Sequence, residues 1–123
     1  MDDMQTGKCE PFRYGACPNR LKQKLEAGAT VWGTVIWEFP LPSTAEVLAQ
    51  AGFDWVWIEM EHSGTSLETV TTFLRTSQPL QLTTLVRVPD AEYHLIARTL
   101  DCGASGIIVP RVSDRATAER IVS

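Results

Sequence analysis

The amino-acid sequence predicts a parallel α/β fold of about four βα units, and three observations carry that prediction. Segments with helical apolar spacing alternate with short strand-like segments, the strand-like segments are almost continuously apolar, and their starts recur at close to the roughly thirty residues of one βα unit. Taken in order, the chain reads as helix over about 19–27, strand 31–37, helix 44–51, strand 54–59, helix 66–76, strand 82–88, helix 91–102, strand 105–109, and a last helix from about 114. Runs such as Val31 to Ile36 and Ile107 to Val109 suit strands covered on both faces, which parallel sheets require.

Local chemistry supports these boundaries. Ser43-Thr-Ala-Glu46 and Thr65-Ser-Leu-Glu68 have capping-box spacing, so each is expected to open a helix. Gly28, Gly52 and Gly103 follow the first, second and fourth helical patterns, where a left-handed residue closes a helix. Asp90 after Pro89 is placed to cap the helix that carries Tyr93, Ile96, Ala97 and Leu100, and that apolar face is expected against the sheet.

Strand spacing fits both an eight-fold barrel and a doubly wound open sheet. Neither GxGxxG after the first strand nor GxxxxGK[ST] anywhere supports nucleotide binding on an open sheet, which tilts the reading toward a barrel. The 123 residues are about half of the roughly 250 that a complete (β/α)8 barrel needs. The expectation is therefore the N-terminal half of such a barrel over residues 19–123, preceded by a flexible polar segment over 1–18 that contains Pro11, Gly15 and Pro18.

Composition narrows the function classes. The net charge is −4 and the 11 basic residues are scattered, so no stripe follows a phosphate backbone and nucleic acid is not an expected partner. The longest apolar stretches, Thr30 to Trp37 and Gly106 to Pro110, fall far short of the roughly twenty residues that span a bilayer, so no membrane association is expected. Two early Asp and no apolar stretch in residues 1–18 predict a cytoplasmic protein without a secretory signal. Cys9, Cys17 and Cys102 are odd in number and lack CxxC spacing, which fits reduced, structurally neutral thiols.

In parallel α/β folds reactive groups gather where strands end, so the strand ends are the place to look for chemistry. The second strand runs into Glu59-Met-Glu-His62, the third ends at Arg87-Val-Pro89, and the fourth at Pro110-Arg111. If the second and third strands are neighbours, His62 and Arg87 share one rim. His62 is the candidate general base, because imidazole can move a proton near neutrality; the alternative is a histidine that merely lies in a loop. Arg87 sits in an apolar strand, so its guanidinium needs an anion, either a substrate carboxylate or an internal ion pair with Glu59 or Glu61. His94, in the first turn of a helix, reads as a surface residue. Trp32, Trp37, Trp55 and Trp57 read as sheet-facing or helix-covered core, with Trp37 nearest a rim.

Ala51-Gly-Phe-Asp-Trp55, Glu61-His62, Leu85-Val-Arg-Val-Pro89, Asp101-Cys-Gly-Ala104 and Val109-Pro110 occur in the order and spacing of a known family. From about Asn19 onward the chain resembles the HpcH/HpaI aldolases, the class II pyruvate aldolases that include 2-dehydro-3-deoxyglucarate aldolase. The resemblance implies a cytoplasmic, oligomeric TIM-barrel lyase that reversibly cleaves a 2-keto-3-deoxy sugar acid or 4-hydroxy-2-oxo acid to pyruvate and an aldehyde. A divalent magnesium or manganese ion would stabilise the pyruvate enolate.

By the same likeness His62 matches the base acting on the aldol hydroxyl, and Arg87 matches the arginine that holds the pyruvate moiety. Asp101 matches an aspartate paired with that histidine, and its place at a helix end on the opposite rim implies that the pairing comes from a neighbouring subunit. Glu59, Glu61 and Trp37 are further substrate-side candidates; many relatives have Asp where this chain has Glu59. The family's metal ligands, a Glu and an Asp, lie on later strands, so no metal ligand is expected among these residues. Schiff-base chemistry would need a lysine at a strand end, but Lys8, Lys22 and Lys24 all precede the first strand. Two alternatives stand beside the aldolase reading: a catalytically incomplete half-barrel that self-associates or binds a partner, and a citrate-lyase-type enzyme acting on acyl thioesters.

Overall fold

A computed structural model describes residues 19–123; the expected flexible segment, with Cys9 and Cys17, lies outside them. Nine elements alternate among the described residues: α1 (Arg20–Glu26), β1 (Gly33–Ile36), α2 (Pro42–Gln50), β2 (Trp55–Glu59), α3 (Leu67–Ser77), β3 (Thr83–Arg87), α4 (Tyr93–Asp101), β4 (Gly106–Ile108) and α5 (Arg115–Val122). The four strands form one parallel sheet in the order β1-β2-β3-β4. Consecutive strands are thus neighbours, as short right-handed crossovers favour. The architecture is the N-terminal half of a TIM barrel, and among the described residues no helix is long and apolar enough to cross a membrane.

Alternation along the strands creates two faces with different fates. One carries Ile36, Val56, Ile58, Thr84, Val86 and Ile107, packed under the helices with Ala45, Val70, Phe73 and Leu74. This is the core. The other carries Gly33 and Val35 of β1, Trp55, Trp57 and Glu59 of β2, Thr83, Leu85 and Arg87 of β3, and Gly106 and Ile108 of β4, stacked in register. In the lowest layer the Trp55 ring lies over Gly33; a Cβ there would come within 2.0 Å of Trp55 Cε2. Trp55 and Trp57 are half-buried with ring centroids 6.4 Å apart. The inner face stays open, with Val35 40% exposed.

Several local expectations are corrected by packing. Neither capping box forms: α2 starts at Pro42 after Leu41, with no side-chain cap, and the α3 cap is Ser66, whose hydroxyl accepts the Thr69 N–H at 3.3 Å. Proline at the first helical position needs no N–H acceptor, which moves the start of α2 ahead of Ser43. The N-cap of α4 is Glu92, not Asp90, whose carboxylate accepts the Ala91 N–H at 2.7 Å instead. The apolar face read on α4 is only partly covered: Ile96 and Ala97 are half-buried, but Tyr93 and Leu100 are 83% and 46% exposed. Thr99 is buried in their place, its hydroxyl satisfied by the Leu95 carbonyl at 2.6 Å. Trp32 is an exposed residue, not core, because it precedes β1 at the sheet edge.

The three helix-closing glycines do adopt left-handed φ, at 72° for Gly28, 87° for Gly52 and 100° for Gly103. At the N-terminal rim Asp54 accepts the Trp32 N–H at 2.9 Å and pairs with Lys24, tying α1 to the start of β1. The Lys24 hydrogen bond, followed by that of the Trp32 N–H, holds the Asp54 carboxyl below its usual range.

Candidate active site

Glu59 and Arg87 end β2 and β3 as register partners, so both side chains stand on the inner face at the C-terminal rim. Glu59 is fully buried, which a carboxylate tolerates only with strong partners. Its Oε1 accepts the backbone N–H groups of Glu61 at 2.6 Å and His62 at 3.1 Å, and its Oε2 accepts from Arg87 Nη1 at 3.1 Å. The Ser63 hydroxyl donates to the Glu59 carbonyl, and the Met60 N–H donates to the Arg87 carbonyl at 3.0 Å. The turn after β2 is therefore wound around one carboxylate. That places His62 outward, with its side chain 60% exposed and Nε2 3.5 Å from Glu61 Oε2.

Glu61 is the hub of the rim. Its side chain is 6% exposed, and it meets Arg87 Nη2, His62 Nε2, and Arg111 Nε at 3.4 Å. Arg87 and His62 approach Oε2 within ion-pair range but out of hydrogen-bond alignment, leaving that oxygen buried without a hydrogen bond. Arg87 thus spans both glutamates, which realises the internal ion pair and leaves its side chain 25% exposed beside His62. Trp37 continues past β1 to the same rim, where its indole N–H donates to the His62 carbonyl at 3.3 Å.

The structure brings together His62, Arg87, Glu59, Glu61 and Trp37. It does not bring in Asp101, an exposed residue at the C-terminal end of α4 and hence on the opposite rim. His94 is exposed on α4. Glu59 has its oxygens fully engaged and acts on the site by positioning the turn. The member not ranked as a site residue from sequence is Arg111; the available signal was its place immediately beyond the end of β4.

Among the described residues no three His, Cys, Asp or Glu side chains converge as a metal-binding group. The carboxylates of Glu59 and Glu61 are both compensated by Arg87, so this pair does not fit a divalent cation on its own. What the arrangement offers is an exposed imidazole beside a fixed guanidinium, suited to proton transfer next to a bound anion.

Residues 40–123 match the family model for HpcH/HpaI aldolase/citrate lyase. The chain is 36% identical over 106 residues to a pyruvate aldolase from Rhizobium etli, covering 85% of this chain and 41% of the relative. It is likewise 36% identical over 107 residues to a hydroxypyruvate/pyruvate aldolase from Paraburkholderia phytofirmans, covering 85% and 40%. Among solved structures, an HpcH/HpaI aldolase from Desulfitobacterium hafniense superposes with a TM-score of 0.79 at 29% identity, over 83% of this chain and 39% of that one. The citrate synthase SbnG superposes with a TM-score of 0.77 at 39% identity, over 83% and 41%. The chain spans about 40% of the length of the curated relatives it matches. With a family model matched over residues 40–123 and a parallel half-barrel that superposes on solved members, this chain belongs to the HpcH/HpaI aldolase/citrate lyase family.

Proposed function

We propose that this half-barrel carries the base and the anion-holding arginine of a metal-dependent pyruvate aldolase, which reversibly cleaves a 2-keto-3-deoxy sugar acid or 4-hydroxy-2-oxo acid to pyruvate and an aldehyde. The observation that supports this most is the contact of His62 and Arg87 with one buried carboxylate, Glu61, on neighbouring strand ends. In this reading a pyruvate carboxylate competes with Glu61 for Arg87, whose fixed positive charge favours the enolate over the neutral ketone. His62 takes the proton of the aldol hydroxyl as the carbon–carbon bond breaks and returns it in the reverse direction.

Magnesium or manganese suits hard oxygen ligands and would supply Lewis acidity to the enolate. Its carboxylates would come from the later strands of the complete barrel. Asp101 would orient His62 from a neighbouring subunit in a cytoplasmic homo-oligomer. The test is pyruvate release from 2-keto-3-deoxyglucarate with added magnesium or manganese, with His62→Ala and Arg87→Ala beside the parent chain. Metal-dependent turnover lost in both variants supports the reading; turnover that survives both removes it.

A second reading is favoured by the open inner face. Val35 and Trp37 are 40% and 47% exposed, the Trp57 indole N–H is buried without a partner, and β1 and β4 each pair on one side only. Such edges are templates for further strands. Here the chain is a catalytically incomplete half that associates with a second copy, and a monomer at micromolar concentration in sedimentation would rule that out. An acyl-thioester lyase is separated from both by dependence on coenzyme A.

A further inference from the structure

We propose that Glu61 is a positioning residue for His62 and relays charge to it, so that a carboxylate arriving at Arg87 loads His62 with a proton from solvent. This rests on the reading that Arg87 holds the pyruvate end, and it adds the order of events at the same rim.

The relay is visible in how Glu61 uses its two oxygens. Its side chain is 6% exposed, so the carboxylate depends on the rim cations and not on water. Oε1 faces Arg111 Nε at 3.4 Å, and Arg111 is itself tied through Nη2 to the Pro89 carbonyl at 3.0 Å. Oε2 is shared: Arg87 Nη2 approaches it, and His62 Nε2 stands 3.5 Å away. Neither makes a hydrogen bond to it, which leaves this buried oxygen with acceptor capacity in hand. A buried acceptor in that state gains from a donor that turns toward it.

Arg87 is the contact that a ligand can withdraw. Its Nη1 is anchored at 3.1 Å on Glu59, whose other oxygen accepts the backbone N–H groups of Glu61 and His62. Nη2 meets Glu61, and with the side chain 25% exposed an incoming carboxylate reaches it. Pairing there draws the guanidinium charge away from Glu61. Glu61 does not follow, because Arg111 and the turn wound around Glu59 hold it in place. Its charge then acts on the imidazole beside it, and a neighbouring carboxylate favours the protonated form.

The other charged groups facing this pair are Glu59 on β2, Asp90 after β3 and Arg111 beyond β4. Glu59 stays compensated by Arg87 Nη1. Asp90 lies 3.9 Å from Arg111 Nη2 with both side chains largely in water, which screens its effect. Arg111 is the same before and after a ligand arrives, so the change at His62 follows the Arg87 contact. The base is thus set by its substrate: once a 2-oxo acid is bound, His62 carries the proton that the aldehyde oxygen needs in the addition direction. That proton comes from solvent and returns to it when the 2-oxo acid leaves.

The test is calorimetric titration of the full chain with pyruvate at a pH of about 6.5, where a free histidine side chain is about half protonated. Runs in PIPES and in imidazole buffer, which differ in ionisation heat, give the number of protons taken up per pyruvate bound. The parent chain is expected to take up at least about 0.3 proton. His62→Gln should abolish the uptake, and Glu61→Gln should cut it by more than roughly half while pyruvate still binds. A merely structural role for Glu61 would change affinity and leave the proton count alone. Glu61→Asp keeps the charge but draws it back by one methylene, and should give an intermediate count; this decides the matter where the glutamine variant does not fold. Pyruvate binding without buffer dependence, or an undiminished uptake in either glutamine variant or in Glu61→Asp, overturns the relay and leaves the reading of Arg87 standing. No pyruvate binding by the parent chain removes that reading and the relay with it.

Discussion

Glu59 and Arg87 are register partners on adjacent parallel strands, and the guanidinium of one lies 3.1 Å from the fully buried carboxylate of the other. The same carboxylate accepts two backbone N–H groups from the turn that presents His62. Strand pairing and the conformation of the site are therefore coupled through one side chain.

Glu59→Gln tests that coupling. The amide keeps the size but exchanges an acceptor for a donor that faces either the turn N–H groups or Arg87, leaving buried donors opposed. A loss of about 2–4 kcal/mol in urea unfolding is expected, with faster amide exchange at residues 61–63. Unchanged exchange in that turn would show that Glu59 does not hold it.

Gly33→Ala tests the inner face. An added Cβ would stand 2.0 Å from Trp55 Cε2, so the ring must move. A loss of about 1–3 kcal/mol is expected, with an altered near-ultraviolet circular dichroism band from the Trp55 and Trp57 pair. An unaltered band together with an unchanged midpoint would contradict this packing.

Phe73→Ala tests the helix-covered face. Phe73 is wholly buried beside Val70, Leu74 and the outer residues of β2 and β3. Its removal should destabilise the chain by about 3–5 kcal/mol, read from the denaturant midpoint at constant m.

Asp54→Asn tests the opposite rim through pH. Lys24, and then the Trp32 N–H, lower the folded-state pKa of Asp54 below its ordinary value of 3.8. The stabilisation is therefore complete above that value and is lost as pH falls through the folded-state pKa. In a pH series from about 7 down to about 2.5, Asp54→Asn should be less stable than the parent at the neutral end, with the difference shrinking at the acid end. A difference independent of pH would mean that the carboxylate charge does not contribute.

How much was legible from the sequence varies with the range of the interaction. The alternation of elements, the parallel sheet and the three left-handed glycines follow from local periodicity and from steric limits that act within a few residues. The strand-end positions of Glu59, His62, Arg87 and Arg111 were likewise readable. Helix starts were less so: Pro42 displaced the expected cap of α2, and Ser66 took the place of Thr65 at α3.

The amino-acid sequence by itself determined the order of elements, the two periodic faces of each strand, and the need of Arg87 for an anionic partner, because each depends on neighbours in the chain. Only the tertiary structure decided which stripe of α4 is buried, that Glu59 is consumed in holding the turn, and that Arg111 and Arg87 meet on Glu61. Those outcomes depend on register between strands 28 residues apart in pairing, Glu59 with Arg87, and on which charges are left after buried carboxylates have been compensated. Neither is written in any local stretch of chain.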